Sequence, residues 1–158
     1  MPLSIRRSEP ADAAAVAALA GELRAHQGDP PGHLTPERIL GDGFGERPEF
    51  AILLALLDGA SVGYALFHDA YEPAYAARGA YLCDLYVHPV ARRQGIGRAL
   101  VGAVAAETTA RGRRYVWWVS QRRNAEARAF YARLGATDDE VAAHALVLDG
   151  TPLPRHAG

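Results

Sequence analysis

Lysine is absent from this chain, and all 17 basic residues are arginine. That absence removes the P-loop, which needs a lysine ahead of its Ser/Thr to reach the phosphates. A single cysteine, Cys83, excludes an intrachain disulfide and any cysteine-only metal site. Such sparse cysteine use suits a reducing cytoplasm, which is the expected setting. The six histidines are scattered without ligand spacing, so no metal centre is expected. Long apolar runs are also lacking. FAILLALL is the longest and falls far short of a membrane span, while MPLSIRRSEP carries no signal-peptide core. A formal net charge of −1 gives no bulk attraction to nucleic acid or anionic lipid, so neither is expected as a partner.

What is present suits one folded domain spanning 1–158. The length of 158 residues fits a single domain of roughly 100–200, and 49% hydrophobic residues can supply a core. The charge is unevenly placed. Ten arginines (92, 93, 98, 111, 113, 114, 122, 123, 128 and 133) lie between Arg92 and Arg133, opposed there only by Glu107 and Glu126. Codon bias accounts for arginine in place of lysine, but not for its clustering. An anion-binding role for part of the cluster is the expectation.

The chain divides into short, regular elements. LSIRRSE suits a first strand, and the Ala-rich ADAAAVAALAGELRAHQ a helix. After the break at GDPPG, TPERIL opens a second helix, with Thr35 as N-cap and Pro36 at its first position. GDGFGERP reads as loop. FAILLALLD and SVGYALFHD form a hairpin about a Gly59–Ala60 turn, and YEPAYAARG is a polar connection. Strict alternation in AYLCDLYVH sets Tyr81, Cys83, Leu85 and Val87 on one face, with Leu82, Asp84, Tyr86 and His88 on the other. GIGRALVGAVAAETTARG is an amphipathic helix ending near Gly112. RRYVWWVS is a strand whose Trp117 and Trp118 face opposite sides. NAEARAFYARLG is a helix capped by Asn124 and closed by Gly135, and HALVL is a last short strand. The order β-α-α-β-β-β-α-β-α-β is an antiparallel meander leading into a βαβ crossover, in the α/β (α+β) class.

The turn VHPVARRQGIGRAL concentrates the chemistry. Amides at a helix start are unpaired and carry partial positive charge. Gly95 and Gly97 would let a bulky anion approach them, and Arg92, Arg93 and Arg98 add fork-shaped donors. A pyrophosphate suits this arrangement. A dinucleotide fingerprint does not, because its third glycine position is occupied by Leu100.

Arg92-Arg93-Gln94-Gly95-Ile96-Gly97 resembles the R/Q-x-x-G-x-G/A signature of the GNAT superfamily of N-acetyltransferases. Its second hallmark, N-x-x-A-x-x-F-Y-x-x-L-G, resembles NAEARAFYARLG. A looser resemblance, through GDGFGERPEF, SVGYALFHDAY and YLCDLYV, is to the diamine (polyamine and thialysine) branch. The family resemblance implies the GNAT acyl-CoA N-acyltransferase fold, a mixed central sheet of about six to seven strands with flanking helices. It implies acetyl-CoA as co-substrate, gripped along Leu85, Tyr86 and Val87 and wrapped by Arg92, Arg93, Gln94, Gly95, Ile96, Gly97 and Arg98. Asn124, Ala127 and Tyr131 would complete the cofactor contacts. The acceptor would be a small primary amine of diamine or amino-acid type, with a protein or antibiotic amine as alternatives. The branch also implies a homodimer.

Direct attack on the thioester requires the amine to lose a proton and the thiolate to gain or share one. Tyr131 is the implied acid, with an ordinary pKa near ~10 that makes the transfer only modestly driven. The base is left open. Where the diamine branch carries an adjacent Glu-Asp pair, this chain has Cys83 and Asp84. Asp84 could bind the acceptor's ammonium or relay its proton. Cys83 stands at the substrate position without a charge, and nothing suggests a thiol nucleophile. Glu72, with Asp69 and His68, could line the acceptor side. Two other classes compete: an acyl-CoA sensor without turnover, and nucleic-acid binding by the arginine cluster, which lacks any recognised motif.

Overall fold

The computed structural model describes residues 2–146. They divide into a larger unit ending at Gln121 and a smaller one beginning at Arg122.

In the larger unit, β1 (Leu3–Arg7) precedes α1 (Ala13–Gln27) and α2 (Pro36–Gly43). Helix α1 buries Val16, Leu19, Ala20 and Leu23, the one-face spacing its sequence shows. Thr35 caps α2, its Oγ1 accepting from the Arg38 amide at 3.3 Å, and Pro36 takes the first position. The helix runs further than expected. Gly41–Gly43, read as loop, continue it, because Ile39 is fully buried and the Phe50 ring closes directly over Gly43.

Five strands form the sheet among the described residues, in the order β1-β2-β3-β4-β5, not six to seven. They continue with β2 (Ala51–Leu57), β3 (Ala60–Glu72), β4 (Ala77–Val87) and β5 (Val116–Trp117), and α3 (Ile96–Ala110) crosses from β4 to β5. Neighbours are antiparallel up to β4, and β4–β5 is parallel. The expected meander and crossover are therefore present. Asp58 and Gly59, with φ of 51° and 82°, make the β2–β3 turn one residue earlier than the sequence suggested. YEPAYAARG is not a polar loop. β3 runs through Glu72, Pro73–Tyr75 turn, and β4 begins at Ala77, so backbone pairing persists where apolar alternation has stopped. At the C-terminal side, RRYVWWVS contributes only Val116–Trp117. Of HALVL, residues 144–146 are not strand, and Val147 and Leu148 lie outside the described residues.

Each sheet face has its own core. Ile52, Leu54, Tyr64, Leu66 and Tyr86 pack with α1 and α2. Leu53, Ala55, Ala65, Phe67 and Leu82 pack with Ile96, Leu100 and Val104 of α3. This corrects the faces expected for β4. The β3–β4 register shifts between Leu66, opposite Asp84, and Phe67, opposite Leu82, so Cys83 is an extra residue in a β-bulge. Leu82 consequently shares the α3 face with Leu85 and Val87, while Tyr86 lies on the α1/α2 face. Alternation alone cannot reveal a bulge, because one inserted residue inverts every side chain beyond it.

The smaller unit contains α4 (Ala125–Arg133). Asn124 caps it as expected, its Oδ1 accepting from the Ala127 amide at 3.1 Å, and Gly135 closes it at a φ of 80°. Ion pairs Arg128–Asp138 (2.6 Å) and Arg122–Glu140 (2.7 Å) secure the segment that follows.

Candidate active site

Strands β4 and β5 pair only at Ala80–Val116 and Tyr81–Trp117. From Leu82 to Val87, β4 is paired with β3 alone among the described residues. Among the described residues no strand pairs with its other edge along Leu85, Tyr86 and Val87, where an extended ligand could add as a strand does. The end of β4 is fixed from the loop. Arg92 Nε donates to the Val87 carbonyl at 2.9 Å, and its guanidinium lies 5.7 Å from the centroid of the Tyr86 ring. Arg92 thus ties the turn to the strand.

On either side of Arg92 to Gly95 the turn is held by its buried residues, Ala91 and Ile96. Arg93 and Gly95 both adopt positive φ, 60° and 78°. The first bond of α3 runs from the Ala99 amide to the Gly95 carbonyl at 3.0 Å, so the amides of Ile96, Gly97 and Arg98 precede the helical ladder. Arg93, Gln94, Gly95 and Arg98 are exposed, and the space a Gly95 side chain would enter is open. The sequence-predicted pieces of this turn therefore come together as one electropositive helix start.

Asp84 lies in a tighter setting than expected. Its Oδ1 accepts from Arg24 at 2.7 Å and its Oδ2 from the Tyr64 hydroxyl at 2.8 Å, leaving 12% of its side chain exposed. Burial and the Asp84 charge raise the Tyr64 pKa, so Tyr64 remains a neutral donor. Cys83 is exposed as a residue, yet the packing around its sulfur, followed by the Asp84 charge, pushes the thiol up to about 11. It is no thiolate at neutral pH. Arg24 was not anticipated. Neither was Glu22, which accepts from the Tyr86 hydroxyl at 3.1 Å and lies 3.8 Å from His88 Nε2. The signal was the tripeptide Glu22-Leu23-Arg24, the charged interruption in an otherwise Ala-rich helix. Asp84→Ala should strand the fully buried Tyr64 hydroxyl and cost about 2 kcal/mol. Urea unfolding checks this, and an unchanged midpoint would show that the network carries no stability.

A separate concavity of ≈ 270 Å³ is lined by His68, Tyr71, Glu72, Tyr81, Tyr115 and Trp117. The Tyr81 and Trp117 rings are 4.8 Å apart, and His68 lies 5.5 Å from Tyr81. The tryptophans divide as their alternation implies: Trp117 borders this pocket, and Trp118 packs with the α3-side core. Of the expected acceptor-side groups, His68 and Glu72 line the pocket. Asp69 instead pairs with Arg111 and Arg113, each at 2.7 Å.

In the smaller unit, the Asn124 side chain is occupied in capping Ala127. Burial raises the Tyr131 pKa, and its ring meets Phe130 at 5.4 Å.

An antiparallel sheet that opens beside a parallel crossover, with a glycine–arginine turn at the mouth, defines a mixed α/β transferase fold. Residues 18–136 match the acetyltransferase (GNAT) family, and the chain belongs to that family. It is 33% identical over 113 residues to thialysine N-epsilon-acetyltransferase of Bos taurus, a match covering 66% of this chain and 66% of that protein. The matched stretch thus spans just under two thirds of that relative's length. It is 35% identical over 141 residues to aminoglycoside N(6')-acetyltransferase type 1 of Stenotrophomonas maltophilia, covering 87% of this chain and 88% of the other. The crystal structure of ribosomal-protein-alanine N-acetyltransferase from Brucella melitensis shares the fold, with a TM-score of 0.75 at 24% identity over 93% of this chain and 100% of that one. Among the described residues no helix is long and apolar enough to cross a membrane, and no cluster of ligating side chains could hold a metal ion.

Proposed function

We propose that this chain is an N-acetyltransferase that moves the acetyl group of acetyl-CoA to a primary amine by direct attack in a ternary complex. The open edge of β4 beside the uncapped start of α3 is the observation that carries the reading. The residues present suit the cofactor's chemistry. An extended amide-containing arm fits an unpaired strand edge at Leu85, Tyr86 and Val87, and a pyrophosphate fits free helix-start amides with exposed Arg93 and Arg98. Acetyl-CoA supplies an acetyl group activated as a thioester.

The remaining work falls to side chains. Arg92 holds the β4 end in place through Val87. The Val87 amide polarises the carbonyl under attack. Gln94, Gly95, Ile96 and Gly97 complete the anion cradle, and Asn124 with Ala127 contributes from the second motif. Tyr131, kept neutral by burial, donates a proton to the departing sulfur. Asp84 already meets a guanidinium and a hydroxyl, so it acts as an acceptor-side anchor and passes a proton through water, not by direct abstraction. Residues 1–158 work as one domain in this reading, and the acceptor is a small diamine, polyamine or amino-acid-like amine.

Thiol release from acetyl-CoA, followed across polyamines, amino acids, aminoglycosides and peptide N-termini, tests it. One amine class should drive release well above the amine-free background. Tight acetyl-CoA binding with a flat panel would establish the sensor reading instead.

A further inference from the structure

We infer that Arg24 is an internal cation holding the acceptor's place on Asp84, and that an incoming ammonium displaces its guanidinium toward Asp29. Arg24 thereby makes positive charge a condition of entry. This deepens the amine-acetylation reading and rests on it.

The contact itself is the first support. Arg24 donates to Asp84 Oδ1 at 2.7 Å, while the Tyr64 hydroxyl holds Oδ2 at 2.8 Å. Tyr64 is fully buried in the core. Arg24 keeps 33% of its side chain exposed, so its long stem can move without disturbing that core. Oδ1 is therefore the side of the carboxylate that a ligand can take. An ammonium offers what the guanidinium offers, a charge and N–H donors within reach of one oxygen. A neutral amine brings no charge to replace the one it evicts, and a part-buried carboxylate left unpaired is costly.

A second partner already in place is the next support. Gly28, at a φ of 72°, ends α1 and turns the chain back, so that the Asp29 amide donates to the Arg24 carbonyl at 3.0 Å. This cap sets the Asp29 carboxylate 3.9 Å from Nη1, the guanidinium nitrogen not bonded to Asp84. Gly32 follows against the arginine stem, where a Cβ would lie 3.2 Å from Arg24 Cγ. The guanidinium thus sits between two carboxylates, bonded to one and close to the other. A small swing exchanges them.

Local charge is the third support. Packing around the Cys83 sulfur, followed by the Asp84 charge, pushes the thiol up to about 11, so Asp84 is the charged member of the 83–84 pair. Arg24 cancels that charge, and this part of the acceptor side stays neutral until the guanidinium leaves. A vacant part-buried carboxylate would attract any passing cation. One that is occupied admits only a ligand able to compete with arginine.

The experiment measures kcat and KM by thiol release for the polyamines, amino acids and aminoglycosides of the panel. Ethylamine is added beside trifluoroethylamine, which is uncharged at neutral pH. Arg24→Gln removes the competing charge and should lower KM for the ammonium-bearing substrates about tenfold, the size of one charge-assisted bond. Trifluoroethylamine should gain nothing. Asp29→Asn removes the resting place of the displaced guanidinium and should raise the same KM values roughly threefold. Acetyl-CoA affinity, followed by calorimetry, should move in neither variant. The opposite signs are the readout, since an arginine that only braced the fold would not produce them. A KM that is unmoved or raised in Arg24→Gln would overturn this inference alone. An unmoved KM in Asp29→Asn would do the same, and that variant decides the question if Arg24→Gln does not fold. A wild type that releases no thiol with any amine would overturn the transfer reading and this inference with it.

Discussion

Gly79→Val should cost about 3 kcal/mol of stability through overpacking against backbone, and should lower the melting temperature by roughly 10 °C. Gly79 is in β4 where β5 makes its closest approach. A Cβ there would collide with the Tyr115 carbonyl oxygen and lie 2.8 Å from its carbon. Those atoms belong to backbone held on both sides. Ala80 N–H donates to the Tyr115 carbonyl at 2.8 Å, Arg114 N–H to the Arg78 carbonyl at 2.9 Å, and Arg113 to the Gly79 carbonyl at 3.2 Å. Neither strand can yield without losing these bonds. Since β4 and β5 meet here and part after Tyr81, the substitution acts on the hinge of the open edge. Gly102→Ala is the control. Gly102 lies inside α3 with nothing within 4 Å of an added methyl, so alanine should stabilise by up to about 1 kcal/mol. Thermal melts of the two variants check the contrast. A Gly79→Val melt within 2 °C of the wild type would show that β4 and β5 are not locked together.

Much of this architecture is legible in residue patterns, and the misses share a cause. Helices declare themselves locally. Thr35-Pro36, Asn124 and Gly135 are chemical punctuation whose meaning depends on a few neighbours. The turn from Arg92 to Gly97 is local too, and its residues lie together as read. What stayed hidden depends on partners distant in sequence. The bulge at Cys83 exists only relative to β3, so alternation along AYLCDLYVH assigned Leu82 to the wrong face. Arg24 meets Asp84 across 60 positions, and nothing near either residue announces the other. The strand extensions through Glu72 and Ala77 are pairing without a hydrophobic pattern. The sequence singled out Asp84 as an acceptor-side carboxylate but gave no sign that Arg24 and Tyr64 already meet it. The consequence is chemical: a carboxylate already shared between a guanidinium and a phenol is a poor direct base, and a proton from the amine has to leave by way of water.

On the proposed acetyl-transfer reading, Tyr131→Phe should have the larger catalytic effect. Removing a positioned general acid typically costs 10²–10⁴ in rate, and a fall in kcat of about 100-fold is expected here. Acetyl-CoA affinity should change little, because phenylalanine retains the ring that meets Phe130 and removes only the hydroxyl. The pH profile supplies a readout that lost packing would not. The donor is the neutral phenol, and burial raises its pKa above the ordinary 10.0. A raised value keeps the acid protonated across the neutral range. Activity that depends on it is therefore fully present below pH 10 and is lost only as pH climbs through the raised pKa. The wild type should show no decline in kcat from this group up to that point. In Tyr131→Phe the high-pH decline should vanish together with most of the rate. Single-turnover thiol release between pH 6 and 11, alongside acetyl-CoA titration by calorimetry, separates the two effects. If kcat is unchanged, Tyr131 is not the acid. If affinity falls as steeply as rate, it is a binding residue, and the thiolate takes its proton from elsewhere.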